Sequence, residues 1–330
     1  MLWSAFVTLF MASKKLIYAL ILFVLVASSG CGHSPPPTIA VVPRTTALML
    51  WEAEHAGAED SASRNGFRIY WNAPTREDDI EKQIALVERV VSEHVQGLVL
   101  APDQPLALMT PVRRALARNI PVVVIGSPLS IPAGGKLLYI LNDEQQVGYI
   151  AAMRMGKILK GTGTIAVVGI NPSVSGMTTR LRSFEENLSK RFPGIQIAEY
   201  RSDFFNSAQA QQAVEETLEA HLDLDAVLAL SAMSTRGAYF ALSKRHALGK
   251  VKLIGCDQEL LPPLRTGEID SIIIENTYEM GYRAVSSIAA LRRGESVTPL
   301  VQLSPVLVTR ENLDRPEITR MLTMQWKQTP

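Results

Sequence analysis

The amino-acid sequence predicts an α/β protein with two doubly wound lobes, each built on a parallel sheet that helices cover on both faces. Short, fully apolar runs alternate with longer segments of helical period from residue 38 onward. Continuous apolar runs are typical of strands that are buried on both faces. Ten such units in a chain of 330 residues exceed what one sheet usually holds, which indicates two packed lobes.

The predicted strands share runs of valine, isoleucine and leucine. They are TIAVV (38–42), FRIYW (67–71), GLVLA (97–101), PVVVI (121–125), LLYIL (137–141), TIAVV (164–168), IQIAEY (195–200), AVLAL (226–230), KLIGC (252–256) and SIIIE (271–275). Helices are predicted over 48–65, 77–93 and 105–118, because apolar residues there recur at helical spacing. TIAVV opens two strand-helix series, so the lobes are expected to share one plan.

The first thirty residues show the pattern of an export signal. Lys14 and Lys15 precede the apolar run 16–27, and small residues follow it. The run is shorter than the roughly 20 residues that span a bilayer as a helix, so residues 1–30 are expected to be cleaved. Met11 opens a conventional signal, and we expect the true start there rather than at the first methionine.

Cys31 directly follows the small residues and is the candidate lipid-attachment site. The stretch VASSGC resembles the bacterial lipobox, in which a diacylglycerol is attached to the cysteine that becomes the mature N-terminus. Ser28 stands where leucine is usual, which leaves ordinary signal-peptidase cleavage near residues 27–29 as the alternative. A proline run then forms a stiff spacer, and residues 31–37 are expected to tether the folded body to a membrane.

The second cysteine and the charge distribution limit the classes of function. Cys256 lies in the apolar stretch 251–256, where we interpret it as a small buried core residue, and acylation of Cys31 leaves no disulfide available. The formal net charge is +1 and the charges are dispersed, which argues against nucleic-acid binding. The five histidines are scattered without metal-ligand spacing, so neither a metal nor another cofactor is expected.

Catalytic and nucleotide-binding motifs are missing from the sequence. It contains neither a Gly-x-Ser-x-Gly elbow nor a plausible Cys/His pair. Gly161 and Gly163 precede their predicted strand, whereas a dinucleotide fingerprint follows one. GINPSVSG at 169–176 lacks the Gly-Lys-Ser/Thr ending of a phosphate loop. The residues therefore argue against an enzyme, although an α/β fold alone excludes none.

Aromatic, charged and hydroxyl residues follow the predicted strands at their carboxyl ends. Open α/β sheets form their ligand crevice at this edge. The candidate ligand contacts are Trp51, Ser127, Arg180, Phe205, Ser231, Asp257 and Glu275.

Six segments together carry a resemblance to a known family. They are LWEAEHAGAEDSASRNGF (50–67), GLVLAPDQPLALMTPVRRALARNIPVVVIGS (97–127), NDEQQVG (142–148), TRLRSF (179–184), LIGCDQ (253–258) and ENTYEMGY (275–282). Through them residues 38–312 resemble the ribose-binding, or type 1 periplasmic sugar-binding, family. Lac-repressor-like regulators share its lobes, but they carry a helix-turn-helix headpiece where this chain has a signal and a tether.

The resemblance implies two lobes joined by three crossovers, near Asn142, Glu275 and Leu303. The lobes are expected to comprise residues 38–142 plus 276–303 and residues 143–275 plus 304–322. The ligand is expected in the cleft between the lobes, which closes around it.

In this family a sugar stacks on aromatic rings while charged and amide side chains bond its hydroxyls. The resemblance assigns the aromatic positions to Trp51, whose neighbour Leu50 is not aromatic, and to Phe205. Arg180 matches the arginine of an Arg-x-x-Gly-Phe motif that here has serine for glycine. Asp257 matches the aspartate that accepts hydrogen bonds from hydroxyls.

Three positions depart from the family pattern. Gly126-Ser127 replaces an Asp that is followed by Arg or Ser, Ser231-Ala232 replaces Asn-Asp, and Glu275 replaces Gln. The first two changes remove large polar groups, which predicts a ligand bulkier than ribose or one held through water. A glutamate accepts but cannot donate, so the ligand is expected to offer an amine or extra hydroxyls at Glu275.

The resemblance implies a monomeric binding protein, exported and lipid-anchored at the periplasm or cell surface. Such a protein captures a sugar or related polyol and delivers it to the permease of an ABC importer. The alternative is a ligand-sensing lipoprotein that presents its solute to a sensor kinase or chemoreceptor. An enzyme on the same lobes is the third class.

Overall fold

The computed structural model of the chain describes residues 36–46, 49–76, 79–172, 174–202 and 206–323. The expected export signal, the expected lipid-attachment residue Cys31 and the candidate contact Phe205 lie outside the described residues. Within that part of the chain, every helix is too short or too polar to cross a lipid bilayer.

The described residues contain twelve strands and ten α-helices. The strands are β1 Thr38–Val42, β2 Arg68–Trp71, β3 Gly97–Leu100, β4 Val122–Gly126, β5 Leu137–Asn142, β6 Thr162–Ile170, β7 Gly194–Ser202, β8 Ala226–Ala229, β9 Lys252–Gly255, β10 Ser271–Ile274, β11 Leu300–Leu303 and β12 Val306–Thr309. The α-helices are α1 Met49–Asn65, α2 Ile80–Ser92, α3 Pro105–Ala117, α4 Glu144–Ile158, α5 Ser175–Arg191, α6 Ser207–Ala220, α7 Ala232–Lys244, α8 Leu261–Thr266, α9 Thr277–Arg292 and α10 Pro316–Thr323.

The N-terminal lobe is built on a six-stranded sheet in the order β11-β5-β4-β3-β1-β2, with every pair parallel. Helices α2 and α3 cover one face, and α1 and α9 cover the other. Strand β4 shows why its sequence is apolar throughout. Val122 and Val124 pack toward α2 and α3, while Val123 between them packs toward α1 and α9. Both faces of this sheet therefore belong to the core.

The C-terminal lobe repeats this plan with the strand order β12-β10-β9-β8-β6-β7. Helices α4 and α5 cover one face, and α6, α7, α8 and α10 cover the other. Strand β12 runs antiparallel to β10, so the expectation of a purely parallel sheet is wrong at this edge. The predicted fold of two doubly wound α/β lobes is confirmed.

The sequence did not predict strands β11 and β12, and strands β6 and β7 begin earlier than predicted. The four-residue strands β11 and β12 flank Ser304-Pro305, and a proline argues against a strand when only the sequence is considered. Each is an edge strand of its own sheet, and the proline lies between them. Strand β6 begins at Thr162, so the prediction that Gly163 lies before this strand is wrong.

The chain passes between the two sheets three times. It leaves the first sheet after β5 at Asn142, returns after β10 at Glu275, and crosses again between β11 and β12 at residues 304–305. Helix α4 then packs on the C-terminal sheet and α9 on the N-terminal sheet. The ends of β5 and β10 thereby become the connections on which the two lobes are joined.

Candidate functional site

A cavity of about 400 Å³ lies between the two lobes. Several of the residues in its walls come one or two positions after the end of a strand. Arg44 follows β1, Ser127 follows β4, Ser231 follows β8, Asp257 follows β9 and Glu275 follows β10. Because the carboxyl ends of the parallel strands in both sheets open toward this space, the cavity occupies the usual position of a ligand crevice in α/β proteins.

The structure brings six of the seven candidate residues into the wall of this cavity. They are Trp51, Ser127, Arg180, Ser231, Asp257 and Glu275. The seventh, Phe205, falls outside the described part of the chain. Whether these side chains contact a ligand stays a prediction.

A close contact between two helices positions Arg180. Gly148 on α4 lies against α5, and a Cβ atom at this position would come within 2.2 Å of the carbonyl oxygen of Arg180. Only glycine lets the two helices approach this closely. The contact sets Arg180 beside Glu144, the first residue of α4.

Arg180 is buried and already bonded to protein groups. Its Nε donates to Oε2 of Glu144 at 2.7 Å, its Nη2 to Oε1 of Glu275 at 2.7 Å, and its Nη1 to the carbonyl oxygen of Leu230 at 2.7 Å. Burial alone would lower the pKa of Arg180, but the nearby Glu144, Cys256 and Glu275 outweigh it and hold that pKa well above its usual range. The guanidinium thus joins the residues at two of the three crossovers.

Cys256 packs against the core of the C-terminal lobe, as predicted, but it follows the strand and also lines the cavity, which the sequence did not predict. Strand β9 ends at Gly255, and the following cysteine lines the cavity and is half-buried. Nη1 of Arg180 lies 3.6 Å from its Sγ. Desolvation raises the pKa of the thiol to about 11, although the Arg180 charge acts in the opposite direction.

Asp257 is 3% exposed and bonded through both oxygens. Its Oδ2 accepts from Nε of Arg236 at 3.0 Å, and its Oδ1 accepts from the backbone N–H of Glu259 at 3.0 Å. Arg236 also pairs with Oε1 of Glu259 at 2.9 Å. Burial raises the pKa of Asp257, and the Arg236 charge works against that rise.

Ser231 has a structural task beside its place in the cavity wall. It is the N-cap of α7, and its Oγ accepts from the backbone N–H of Ser234 at 3.2 Å. The hydroxyl of Ser234 in turn accepts from the backbone N–H of Ser231 at 3.0 Å, which completes a capping box. The helix therefore favours a capping side chain at position 231 whatever the ligand, and serine is one of the residues that supply it.

On the opposite wall, Arg44 is a cavity residue that the sequence reasoning missed. Its Nη2 donates to Oγ of Ser127 at 2.6 Å. A Cβ atom at Gly126 would lie 3.8 Å from the same nitrogen, so the guanidinium occupies part of the space that the small residues leave. Arg44 follows the first strand by two residues, and its position at a strand end could have identified it.

Two further residues of this wall carry buried polar atoms without partners. Trp51 is 6% exposed and packs in the core between the sheet, α1 and α9, and its Nε1 has no hydrogen-bond partner in the structure. Asn142 is also 6% exposed, and its Oδ1 is likewise unpartnered. The sequence placed Asn142 at a crossover but did not identify it as part of the cavity wall.

No group of three metal-ligating side chains that could hold a metal ion occurs among the described residues. The charged groups of the cavity are instead arginines and carboxylates in hydrogen-bond contact with one another. Such an arrangement suits the recognition of a small polar molecule through fixed hydrogen bonds.

Comparison with known proteins places this geometry among solute-binding proteins. A family model described as periplasmic binding protein domain matches residues 39–296. The D-ribose/D-allose-binding protein of Pseudomonas aeruginosa is 24% identical over 271 residues, which cover 78% of this chain and 84% of that protein.

Solved structures show the same fold. A carbohydrate transporter solute-binding protein from Agrobacterium radiobacter, in complex with D-arabinose, has a TM-score of 0.81 at 23% identity, covering 87% of this chain and 99% of that one. A solute-binding protein of an ABC transporter from Agrobacterium vitis, with bound D-fucose, has a TM-score of 0.79 at 26% identity, covering 86% and 98% respectively.

Proposed function

Because the chain belongs to the periplasmic binding protein domain family, we propose that its cleft captures a sugar or related polyol and delivers it to the permease of an ABC importer. The family consists of solute-binding proteins and not of enzymes, in agreement with the absence of catalytic motifs from the sequence. Its members act outside the cytoplasm.

The observation that carries the proposal is the cavity with walls from both lobes. A ligand that contacts both walls stabilises the closed form over the open one, and a partner can then distinguish the two. The proposed ligand contacts are Trp51, Ser127, Arg180, Phe205, Ser231, Asp257 and Glu275. Arg180 and Asp257 act in this proposal mainly by holding neighbouring carboxylates in place, since both are already bonded within the protein.

Cavity size and the ligands of related proteins support a monosaccharide-sized ligand. A volume of about 400 Å³ lies in the range of small-molecule sites. Solved relatives hold D-arabinose and D-fucose in the corresponding fold. Small polyols present both C–H faces and many hydroxyls, which Trp51 and the carboxylates of the cavity can accommodate.

The proposal includes anchoring of a monomer through a lipid on Cys31. Residues 1–30 serve as the signal, residues 31–37 form the tether, and the lobes comprise residues 38–142 plus 276–303 and residues 143–275 plus 304–322. Labelling of producing cells with radioactive palmitate should mark the wild-type protein and leave a Cys31→Ser variant unmarked. Equal labelling of the two would refute the anchor.

A thermal-shift screen of the purified protein against pentoses, hexoses, polyols and amino sugars tests the function. A ligand that binds only the folded state stabilises it by about 2.7 kcal/mol at a hundred times its dissociation constant. We expect at least one compound to raise the melting temperature and to be recovered chemically unchanged. Failure of every compound would overturn the proposal, and turnover of the bound compound would indicate an enzyme.

A further inference from the structure

The cavity carries more carboxylates than cations. Five acidic side chains line it, namely Asp103, Glu144, Asp257, Glu259 and Glu275. Among the described residues, the cations that line the cavity are Arg44 and Arg180. Arg236 does not line the cavity but pairs with Asp257 and Glu259. The excess of two negative charges lies in a partly enclosed space, where water screens charge less than it does at the surface.

The arginines of the C-terminal wall do not neutralise this excess. Arg180 is shared by Glu144 and Glu275, and Arg236 is shared by Asp257 and Glu259. Each cation thus serves two carboxylates and leaves one negative charge per cluster. Desolvation raises the pKa values of Glu144 and Asp257, and the charges of Arg180 and Arg236 act against this rise without cancelling it.

Glu275 is a partly exposed carboxylate of this group that lies at a crossover between the lobes. Its Oε1 accepts from Arg180, which is its sole side-chain partner in the described structure, and its side chain remains 29% exposed while lining the cavity. The guanidinium therefore fixes the orientation of the carboxylate and leaves hydrogen-bonding capacity for a donor from the ligand.

Asn142 gives an independent indication that the missing partner is a donor. This side chain is more than nine-tenths buried and lines the cavity, yet its Oδ1 has no hydrogen-bond partner. A buried carbonyl oxygen without a partner costs free energy that a donor from a ligand can recover. The same wall also holds two buried donors without acceptors, Nε of Arg44 and Nε1 of Trp51, so a ligand that satisfies it must offer hydroxyls as well as an N–H donor.

We propose that the preferred ligand is a polyol bearing a protonated amine, whose ammonium group pairs with Glu275. This inference rests on the proposed function and specifies its substrate class. An ammonium group carries three N–H donors and a positive charge, so it supplies what the cavity wall lacks, whereas a neutral sugar supplies only hydroxyl donors. The hydroxyls of such a ligand remain available for Asn142 and the N-terminal wall.

Calorimetric titration of the purified full-length protein with matched pairs tests this class. The pairs are D-glucosamine with D-glucose and D-galactosamine with D-galactose, at about pH 6, where the amines are protonated. In at least one pair we expect the amine to bind about tenfold more tightly or better, as for a charge-assisted hydrogen bond. N-acetyl-D-glucosamine, in which the charge is removed, should lose that preference.

Two variants locate the effect. Glu275→Gln keeps the size of the side chain and removes its charge, so the preference for the amine should fall to within about twofold of the parent sugar. Asp314→Asn, at an exposed acid remote from the cavity wall, should leave the preference unchanged. If Glu275→Gln does not fold, titration of the wild-type protein at about pH 6 and pH 9 tests the charge without changing the size of the ligand, and the preference for the amine should fall as the amine loses its proton.

The outcomes separate the two proposals. Tighter binding of the neutral member in every pair that binds would overturn the amine inference and leave sugar capture standing. Retention of the preference in Glu275→Gln would also overturn it. Failure of every amine and every parent sugar to bind would overturn the amine inference, while the thermal-shift screen with pentoses, other hexoses and polyols decides whether sugar capture stands.

Discussion

The two lobes differ in how fully their buried polar groups are bonded. In the C-terminal lobe, Arg180 and Arg236 each bridge two carboxylates in the cavity wall, and Arg154 forms a two-bond pair with Asp270 beneath it. In the N-terminal lobe, five residues bury polar atoms that have no partner in the described structure, namely Arg44, Trp51, Glu54, Ser61 and Asn142. Glu199 and Arg236 of the C-terminal lobe also have an unbonded buried atom, but each forms ion pairs.

This difference indicates that the two walls of the cleft contribute differently to ligand binding. The C-terminal wall is assembled in advance, because its charges hold one another in fixed positions. The N-terminal wall is incomplete, and its unpartnered atoms lower the free energy of the complex when a ligand supplies the missing hydrogen bonds. Substitutions in the C-terminal wall should therefore affect stability first, whereas those in the N-terminal wall should affect affinity first.

Replacing Arg180 by methionine should have the largest effect. The variant leaves the carboxylates of Glu144 and of the partly exposed Glu275 without their buried cation, and loss of one partner of a buried ion pair costs about 3–5 kcal/mol, with the Glu144 pair contributing most. Urea denaturation should show this loss in the free energy of unfolding. Arg265→Met removes an exposed pair with Asp314 and should leave that free energy unchanged. Equal effects of the two variants would contradict the preassembled wall.

Gly148→Val tests how the wall is positioned. A Cβ at this residue would lie 2.2 Å from the carbonyl oxygen of Arg180, so α4 and α5 must separate. Overpacking of this kind costs about 1–3 kcal/mol in the free energy of unfolding. Far-ultraviolet circular dichroism should confirm that the variant folds. Unchanged stability by urea denaturation would show that the close approach of the helices is not needed.

Glu54→Gln tests the unpaired acid of the N-terminal lobe. Glu54 is fully buried at the contact of α1 with α9, and desolvation raises its pKa well above its usual value of 4.5. The unfolded chain loses this proton above pH 4.5 while the folded chain keeps it, so Glu54 lowers stability as the pH rises from 4.5 toward its folded pKa. The wild type should lose up to about 1.4 kcal/mol per pH unit relative to Glu54→Gln.

Denaturation of both proteins at about pH 5 and pH 8 measures this difference. The gap between the two free energies of unfolding should favour the glutamine variant increasingly as the pH rises. A gap that stays constant with pH would show that Glu54 has a partner in solution.

Asn142→Leu should separate affinity from stability. Removing a buried carbonyl oxygen that lacks a partner leaves the free energy of unfolding unchanged or raised. The ligand found by the thermal screen should bind more weakly by about 1 kcal/mol, roughly a fivefold loss of affinity by calorimetry. A lower free energy of unfolding with unchanged ligand affinity would contradict the proposed difference between the two walls.

The sequence was most informative where a feature is local. The apolar run at residues 122–124 predicts a strand that is buried on both faces, and the structure places this strand in the middle of a sheet. The positions just after strands likewise identify Ser127, Asp257 and Glu275 as neighbours of one cavity. Both inferences depend only on apolar runs and on the geometry of parallel sheets.

The sequence was least informative where a role depends on partners far along the chain. Arg180 bonds to groups 36 and 95 positions away, so its commitment to Glu144 and Glu275 could not be predicted from spacing. Cys256 ends an apolar run and was assigned to the core, which it does contact, yet β9 stops one residue earlier and the cysteine also lines the cavity. Strands β11 and β12 were hidden by the proline between them.

Amide hydrogen exchange with and without the ligand from the thermal screen tests the central claim most directly. We expect the ligand to slow exchange at both walls, around residues 125–129 and 229–236, and at the crossovers around residues 140–146 and 274–279. The largest slowing is expected at residues 125–129, in the N-terminal wall. Slowed exchange in one lobe alone, or away from the cavity, would contradict binding in the cleft between the lobes.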